Sequence, residues 1–193
     1  ESGDVVVVKG KTVVPEEKKV YLAFNKPRGI VCTAEKREKN NVIDYLSYPV
    51  RIYPVGRLDK DSEGLLLMTN DGAIVNGIMR ARNRHEKEYQ VEVNKEITPE
   101  FLKKMASGVP ILDTVTRPCR IRKTGERSFT IILTQGLNRQ IRRMCEALGY
   151  RVTKLKRVRI MNIHLKDLKT GEYRPLTEKE LAELKKQIGE EKR

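Results

Sequence analysis

The stretch that decides the fold is GRLDKDSEGLLLMTNDG, residues 56–72. A dense set of charges, from Arg57 to Glu63, is followed at once by the apolar residues 65–68. A short apolar run bounded by a glycine and by a Thr-Asn-Asp-Gly break is typical of a buried strand. Asp71 then stands where a carboxylate can cap a helix whose apolar face carries Ile74, Val75, Ile78 and Met79. The stretch therefore predicts a polar loop, a core strand and a helix in immediate succession.

The segments on either side predict an irregular mixture of strands and helices. Val20, Leu22 and Phe24 recur at every second position, which is the strand period, and Tyr89, Val91 and Val93 do the same. Further helix starts are expected at Thr98-Pro99, at Asn138, and at Thr177 with its capping-box partner Glu180. Short strands interleaved with helices in this way indicate an α+β fold with a largely antiparallel mixed β-sheet and flanking helices.

The charge of the chain indicates a polyanionic partner. Its 193 residues carry a formal net charge of +14, and 34% of them are charged against 38% hydrophobic, as in a globular protein with a heavily solvated surface. Between Arg117 and Arg159 the only acidic residues are Glu126 and Glu146. So basic a stretch repels itself unless phosphates neutralise it, which makes nucleic acid the expected partner. The alternative is a generally basic surface exposed to water.

Few residues suit a metal site or a disulfide. Cys32, Cys119 and Cys145 lie far apart, and His85 and His164 are isolated. Neither a zinc spacing nor a disulfide framework follows from them, so we expect no metal and reduced thiols in a cytoplasm. No apolar run approaches the ~20 residues of a membrane span, and no stretch of these residues has the pattern of a secretory h-region.

Two polar segments are candidates for chemistry. In the first, Asp59 and Asp61 suggest a glycosidase carboxylate pair only weakly, because spacing within a loop does not give a separation in space; an ordinary solvated loop is the alternative. In the second, residues 136–144, Arg139, Arg142 and Arg143 crowd the start of a helix, where the helix dipole disfavours cations. An anion among these arginines would explain the crowding, either an RNA phosphate or a buried carboxylate. The alternative is that the arginines extend into solvent.

Together these segments resemble the pseudouridine synthases of the bacterial small- and large-subunit rRNA group. Residues 56–66 are similar to the catalytic motif of that family and residues 138–144 to its C-terminal motif, and residues 25–29 and 87–89 also match. The segments most similar to a large-subunit enzyme are residues 85–89, 108–112 and 135–146. The resemblance runs from about Val20 to the last helix, and it implies the fold of that family with a central RNA-binding cleft.

The resemblance also implies a role for each site residue. Asp59 matches the catalytic aspartate, Arg57 the arginine that helps displace the target base, and Tyr89 the tyrosine that packs against the uracil. The pattern alone favours a core tyrosine at position 89, although its ring could stack on a base. Arg142 matches the basic residue paired with the aspartate, and Ile141 an apolar pocket residue. The same motif supplies further substrate-binding residues, which are Asn138, Arg139 and Gln140.

The reaction of this family is an isomerisation. The target uridine leaves its stack, its N1–C1′ bond breaks, and the uracil rejoins the ribose through C5. Asp59 could attack C1′, attack C6 or take a proton from C2′, and these routes stay open. No redox step or group transfer occurs, so no cofactor is expected. The expected substrate is structured RNA, first of all 23S large-subunit rRNA, with a tRNA as a second candidate.

One departure from the family concerns the start of the chain. Members of this branch usually carry an N-terminal S4-like RNA-binding domain. We expect residues 1–18 to be the remnant tail of such a domain with a linker, and residues 19–193 to form the catalytic domain, acting as a monomer.

Two other functions stay open at this point. A non-catalytic RNA-binding protein, such as a ribosome-associated module, would use the basic stretch equally well. Such a binder has no use for a carboxylate that repels phosphate, which makes Asp59 the discriminating residue. A nucleoside-bond hydrolase would release free uracil, whereas an isomerase conserves mass.

Overall fold

The computed structural model describes residues 6–8, 11–13 and 18–191, with side chains described from residue 18 to residue 189. The predicted tail and linker, residues 1–18, lie largely outside the described residues, so this domain boundary stays a prediction. Among the described residues of this segment, strand β1 (Val6–Val8) pairs with β2 (Lys11–Val13) in an antiparallel arrangement.

The rest of the described chain interleaves short strands with helices, as the sequence predicts. In chain order the elements are β3 (Tyr21–Lys26), α1 (Val42–Leu46), β4 (Tyr53–Val55), β5 (Glu63–Thr69), α2 (Gly72–Arg80), β6 (Lys87–Val93), α3 (Pro99–Ser107), β7 (Pro110–Ile111), β8 (Thr114–Val115), β9 (Arg120–Gly125), β10 (Ser128–Leu133), α4 (Gln140–Ala147), β11 (Val152–Ile160), β12 (Ile163–His164), β13 (Tyr173–Pro175) and α5 (Glu178–Glu191).

A mixed sheet of nine strands dominates the molecule. Seven of the strands run in the order β13-β3-β5-β11-β6-β10-β9, while β4 pairs with β5 and β12 with β11. Within this sheet all pairings are antiparallel except one, in which Lys156 and Arg157 of β11 lie opposite Glu63 and Gly64 of β5. The predicted α+β fold with a largely antiparallel mixed sheet and flanking helices is therefore confirmed.

The apolar run at residues 65–68 is explained by burial on both faces of the sheet. Leu66 and Met68 pack into a core with Phe24 of β3 on the side of α1. Leu65 and Leu67 face the opposite core, which α2 and α5 complete. A strand covered on both faces reads as a continuous hydrophobic run rather than as an alternation. A third core lies between β6, β10 and helices α3 and α4.

The predicted helix starts are confirmed at α2 and α3 and wrong by two residues at α4. The side chain of Asp71 accepts a hydrogen bond from the Ala73 N–H, and that of Thr98 accepts one from Phe101. Helix α4 begins at Gln140, not at Asn138, because Arg139 has left-handed backbone angles (φ 49°, ψ 38°). The Asn138 side chain instead accepts a 2.8 Å hydrogen bond from Arg143.

The predicted capping box at the last helix is confirmed. The Thr177 N–H donates to Glu180 Oε1 at 2.9 Å, and the Glu180 N–H donates to Thr177 Oγ1 at 3.1 Å. Within the described part of the chain, no helix combines the length and the apolar character that crossing a bilayer requires.

Candidate active site

A cavity of about 440 Å³ opens where the loop between β4 and β5 meets the start of β6 and the loop that precedes α4. Seven of the eight residues that the sequence assigned to the site line this cavity. Its walls include Arg57, Asp59, Tyr89, Asn138, Arg139, Gln140 and Ile141. Arg142 is not part of the lining; it lies buried behind the loop, with 9% of its side chain exposed. Parts of the chain more than 80 residues apart in sequence therefore meet at one place.

The loop that carries Asp59 is held in shape by a buried lysine from the 25–29 segment. The Lys26 side chain is fully buried, and its Nζ donates to the carbonyl oxygens of Pro27 at 2.8 Å, Ile30 at 2.7 Å and Lys60 at 3.4 Å. Burial lowers the pKa of Lys26, while the nearby charges of Asp61 and Asp59 oppose this effect. The backbone adds a bond from the Gly29 N–H to Lys60 O at 2.7 Å. The structure thus explains why segment 25–29 accompanies the loop motif.

Tyr89 and Ile141 form an apolar part of the cavity wall. Tyr89 is partly buried against the core that includes Val91 and Ile141, so it packs as a core residue and also faces the cavity. Two positions earlier on the same face of β6, Lys87 donates to the carbonyl oxygens of Arg82 at 2.6 Å and Thr134 at 3.3 Å. Burial, assisted by neighbouring arginines, lowers the pKa of Lys87 to about 8.

The arginines of α4 meet the acidic loop, but not in the pairing that the sequence predicts. Arg139 holds Asp61 with two hydrogen bonds of 3.1 and 3.0 Å and lies 3.5 Å from Asp59 Oδ2. Arg142 donates to Asp61 O at 3.0 Å and to Ser62 Oγ at 3.1 Å, and it lies 3.6 Å from Asp61 Oδ1. The expected ion pair between Arg142 and Asp59 is therefore not formed, because the Nη2 atom of Arg142 is directed at residues 61 and 62.

The pKa of Asp61 follows from these contacts. Hydrogen bonds from Arg139, supported by the charge of Arg142, hold the pKa of Asp61 below its ordinary value. The same contact raises the pKa of Arg139. Of the two anions that would explain the arginine cluster, the structure supplies a carboxylate, although Asp61 is 43% exposed rather than buried.

Two residues that support the site escape reasoning from sequence. Ser62 is 1% exposed and accepts the hydrogen bond from Arg142. Arg157 is buried in β11, donates to Leu65 O at 2.9 Å and reaches Arg57 O at 3.4 Å. The sequence does offer one signal for Ser62, because this residue lies inside the loop motif, residues 56–66. It offers none for Arg157, which is one of many basic residues in its stretch.

Metal coordination finds no support in the described residues. No three side chains of His, Cys, Asp or Glu among them gather closely enough to hold an ion.

Comparison with known proteins finds relatives that match most of this chain. A model of the RNA pseudouridylate synthase family matches residues 20–147. The dual-specificity RNA pseudouridine synthase RluF of Salmonella typhi is 54% identical over 189 residues, which are 97% of this chain and 65% of that protein. The ribosomal large subunit pseudouridine synthase B of Bacillus subtilis is 36% identical over 94% of this chain and 78% of its own length.

A solved structure supports the same relationship. The crystal structure of a pseudouridylate synthase superimposes with a TM-score of 0.80 at 29% identity, covering 90% of this chain and 76% of the other. This chain spans less than two thirds of the RluF proteins that it matches. The similarity of residues 85–89, 108–112 and 135–146 to a large-subunit enzyme is consistent with these relatives. The chain therefore belongs to the RNA pseudouridylate synthase family.

Proposed function

We propose that this chain isomerises uridine to pseudouridine in structured RNA, with 23S large-subunit rRNA as the first candidate substrate and a tRNA as the second. The observation that carries the proposal is the placing of Asp59. Its carboxylate lines an open cavity whose wall includes the Tyr89 ring and Ile141, and an arginine lies 3.5 Å away. The volume of the cavity lies within the range of sites for small organic groups, so a flipped nucleotide is a suitable occupant.

The chemistry that we propose uses groups that the chain itself supplies. The uracil leaves the RNA stack and packs against Tyr89, while Arg57 helps to displace it. Asp59 acts on the ribose or on the base as nucleophile or general base, the N1–C1′ bond breaks, and a C5–C1′ bond forms. The C5 proton is lost to solvent and N1 gains one, so mass is conserved and no cofactor is consumed.

The remaining parts of the proposal concern partners and context. The substrate is bound by Asn138, Arg139, Gln140 and Ile141. Arg142 supports the loop that carries Asp59 through its hydrogen bonds to Asp61 O and Ser62 Oγ. The net charge of +14 supports an RNA partner. The name of the RluF relatives states a dual specificity, which supports testing more than one RNA. We further propose that residues 19–193 form the catalytic domain and that the protein acts as a cytoplasmic monomer.

The experiment that tests the function compares the wild type with Asp59→Asn. RNA containing uridine tritiated at C5 releases tritium when pseudouridine forms, and binding is measured separately on the same RNA. The wild type is expected to release tritium, whereas Asp59→Asn releases none and binds RNA within a few-fold of the wild type. The amide is nearly isosteric but is neither nucleophilic nor basic. Asp113→Asn is the matched control, since Asp113 is exposed at the β7–β8 turn and does not line the cavity.

The outcomes separate the competing functions. Substantial turnover by pure Asp59→Asn would remove the aspartate from the mechanism. Free uracil in the wild-type reaction would identify a hydrolase. Tight binding with no release of tritium or uracil from any of the RNAs would identify an RNA-binding module.

A further inference from the structure

The acidic loop contains two carboxylates that share one arginine unequally. Both terminal nitrogens of the Arg139 guanidinium fork donate to Asp61, Nη1 to Oδ1 at 3.1 Å and Nη2 to Oδ2 at 3.0 Å. Asp59 receives a single longer approach, 3.5 Å from Nη1 to Oδ2. Two parallel bonds are the strong form of an arginine–carboxylate contact. The fork is therefore committed to Asp61, although Asp59 lies within its reach.

The consequence for Asp59 is that its oxygens stay open. Among residues 18–189, no hydrogen bond from a protein donor ends on the Asp59 carboxylate; its one close cation is the shared Nη1. Hydrogen bonds to a carboxylate favour its charged form and so lower its basicity, which makes it a weaker base or nucleophile. Sharing Arg139 in this way leaves Asp59 near a positive charge without a bidentate partner.

Two arginines at the start of α4 hold the acidic loop from different sides. Arg139 is the residue before α4, and its left-handed backbone angles are unfavourable for a side chain with a Cβ. Arg142, one turn later, fixes the other side of the same loop through Asp61 O and Ser62 Oγ. Asp61 thus contacts two arginines, through its carboxylate and through its carbonyl oxygen.

We propose that Asp61 is a positioning residue, which holds the fork of Arg139 away from Asp59 and so keeps the reacting carboxylate open. The inference rests on the proposed function, because it assigns Asp61 a part in the reaction of Asp59. Its central consequence is that substitutions at Asp61 and Arg139 have non-additive effects on the reaction rate. When Asp61 is neutral, the fork of Arg139 closes on Asp59 and lowers the basicity and nucleophilicity of its carboxylate, and removing the fork restores the rate.

The experiment is a double-mutant cycle with Asp61→Asn, Arg139→Gln and the double variant. Single-turnover tritium release is measured at saturating enzyme, so that weaker RNA binding does not enter the rate. We expect Asp61→Asn to slow the reaction roughly tenfold, within the range of couplings between residues in contact. The double variant should be faster than Asp61→Asn and should react within a few-fold of Arg139→Gln. Glu92→Gln removes a carboxylate that contacts Lys154 elsewhere, and it should leave the rate unchanged.

A second readout does not depend on turnover. A crystal structure of Asp61→Asn should show both nitrogens of the Arg139 fork on Asp59, and thermal melting should show that all variants fold. A double variant as slow as Asp61→Asn, or an Arg139 fork that stays off Asp59 in the crystal, would overturn the inference. An inactive wild type contradicts the proposed function alone, since the crystal structure still decides where the fork lies.

Discussion

At the scale of single residues, Arg139 is the arginine nearest to Asp59, with its Nη1 atom 3.5 Å from Asp59 Oδ2. Arg57, Asp59, Tyr89 and Ile141 all line one cavity, as the motif match predicts. The partner of Asp59 differs from the prediction, because a motif does not show which of several arginines comes nearest. Arg139 takes that place from a left-handed backbone position directly before α4, which no sequence rule required.

Arg142 is expected to act as a support for the loop rather than as a phosphate contact, because only 9% of its side chain is exposed. Arg142→Ala leaves Asp61 O and Ser62 Oγ without their donor, so the loop can shift. We expect the saturated single-turnover rate to fall roughly 100-fold, the size of effect that a misplacement of about 1 Å produces. Arg142→Lys should recover part of the rate, since a cation remains although the planar fork is lost.

The matched control for Arg142 is its neighbour. Arg143→Ala removes a half-buried arginine whose partner is Asn138, and it should change the saturated rate much less. If Arg142→Ala lowers RNA affinity and leaves the saturated rate unaltered, Arg142 is an ordinary RNA contact.

At the scale of elements, local chemistry predicts helix starts well and strand partners poorly. Asp71 and Thr98 cap helices as expected, because a cap depends on residues only a few positions apart. The parallel pairing of β5 with β11 depends on residues more than 90 positions apart. Gly64 is essential to that pairing, since a Cβ there would lie 2.2 Å from Arg157 O. The sequence shows a glycine at this position but not the backbone that approaches it.

The capping box of α5 predicts a pH dependence of stability. Hydrogen bonds from Arg174 are the main cause that lowers the pKa of Glu180 from 4.5 to about 2. A carboxylate with a lowered pKa stabilises the fold above its unfolded pKa, and this contribution is lost as the pH falls through the folded value. The shift corresponds to about 3 kcal/mol at neutral pH, lost between roughly pH 4.5 and pH 2.

Glu180→Gln should therefore lower the free energy of unfolding at pH 7 by about 1–3 kcal/mol. The gap between variant and wild type should narrow as the pH falls below 4.5, because glutamine can still cap the helix but does not titrate. Urea unfolding at several pH values measures this, with the exposed Glu183→Gln on the same helix as control. A gap that stays constant down to pH 2 would show that the charge of Glu180 does not stabilise the helix.

At the scale of the whole molecule, the basic stretch between Arg117 and Arg159 contains buried arginines, ion-paired arginines and exposed arginines. Arg142 and Arg157 are buried, while Arg120 and Arg159 are paired with Glu86. The sequence predicted a surface rich in arginine, but it could not show which charges the fold itself neutralises. Arg122 on β9 is exposed and has no ion pair among the described side chains.

RNA binding should weaken steeply with salt, because cations that contact phosphates release counterions. Arg122→Gln should reduce the slope of log K against log salt by about one if Arg122 contacts a phosphate. Arg120→Gln, two residues away on the same strand, should change the slope less, since Glu86 already neutralises Arg120 at 2.6 Å. Binding constants measured at several salt concentrations test this. Equal slopes for wild type and Arg122→Gln would place β9 outside the RNA footprint.

The position of β11 at the centre of the sheet governs the order in which a nascent chain can fold. The ribosome delivers β3, β5, β6, β9 and β10 before β11, yet β11 lies between β5 and β6. Until residues 152–160 emerge, the sheet can exist only as two halves with an open inner edge on each, and open edges invite pairing with other chains. At a synthesis rate of roughly 5–20 residues per second, β6 is made several seconds before its partner β11. A chain stopped before Val152 is therefore expected to depend on chaperones, although it already holds Asp59, Tyr89 and the arginines of α4.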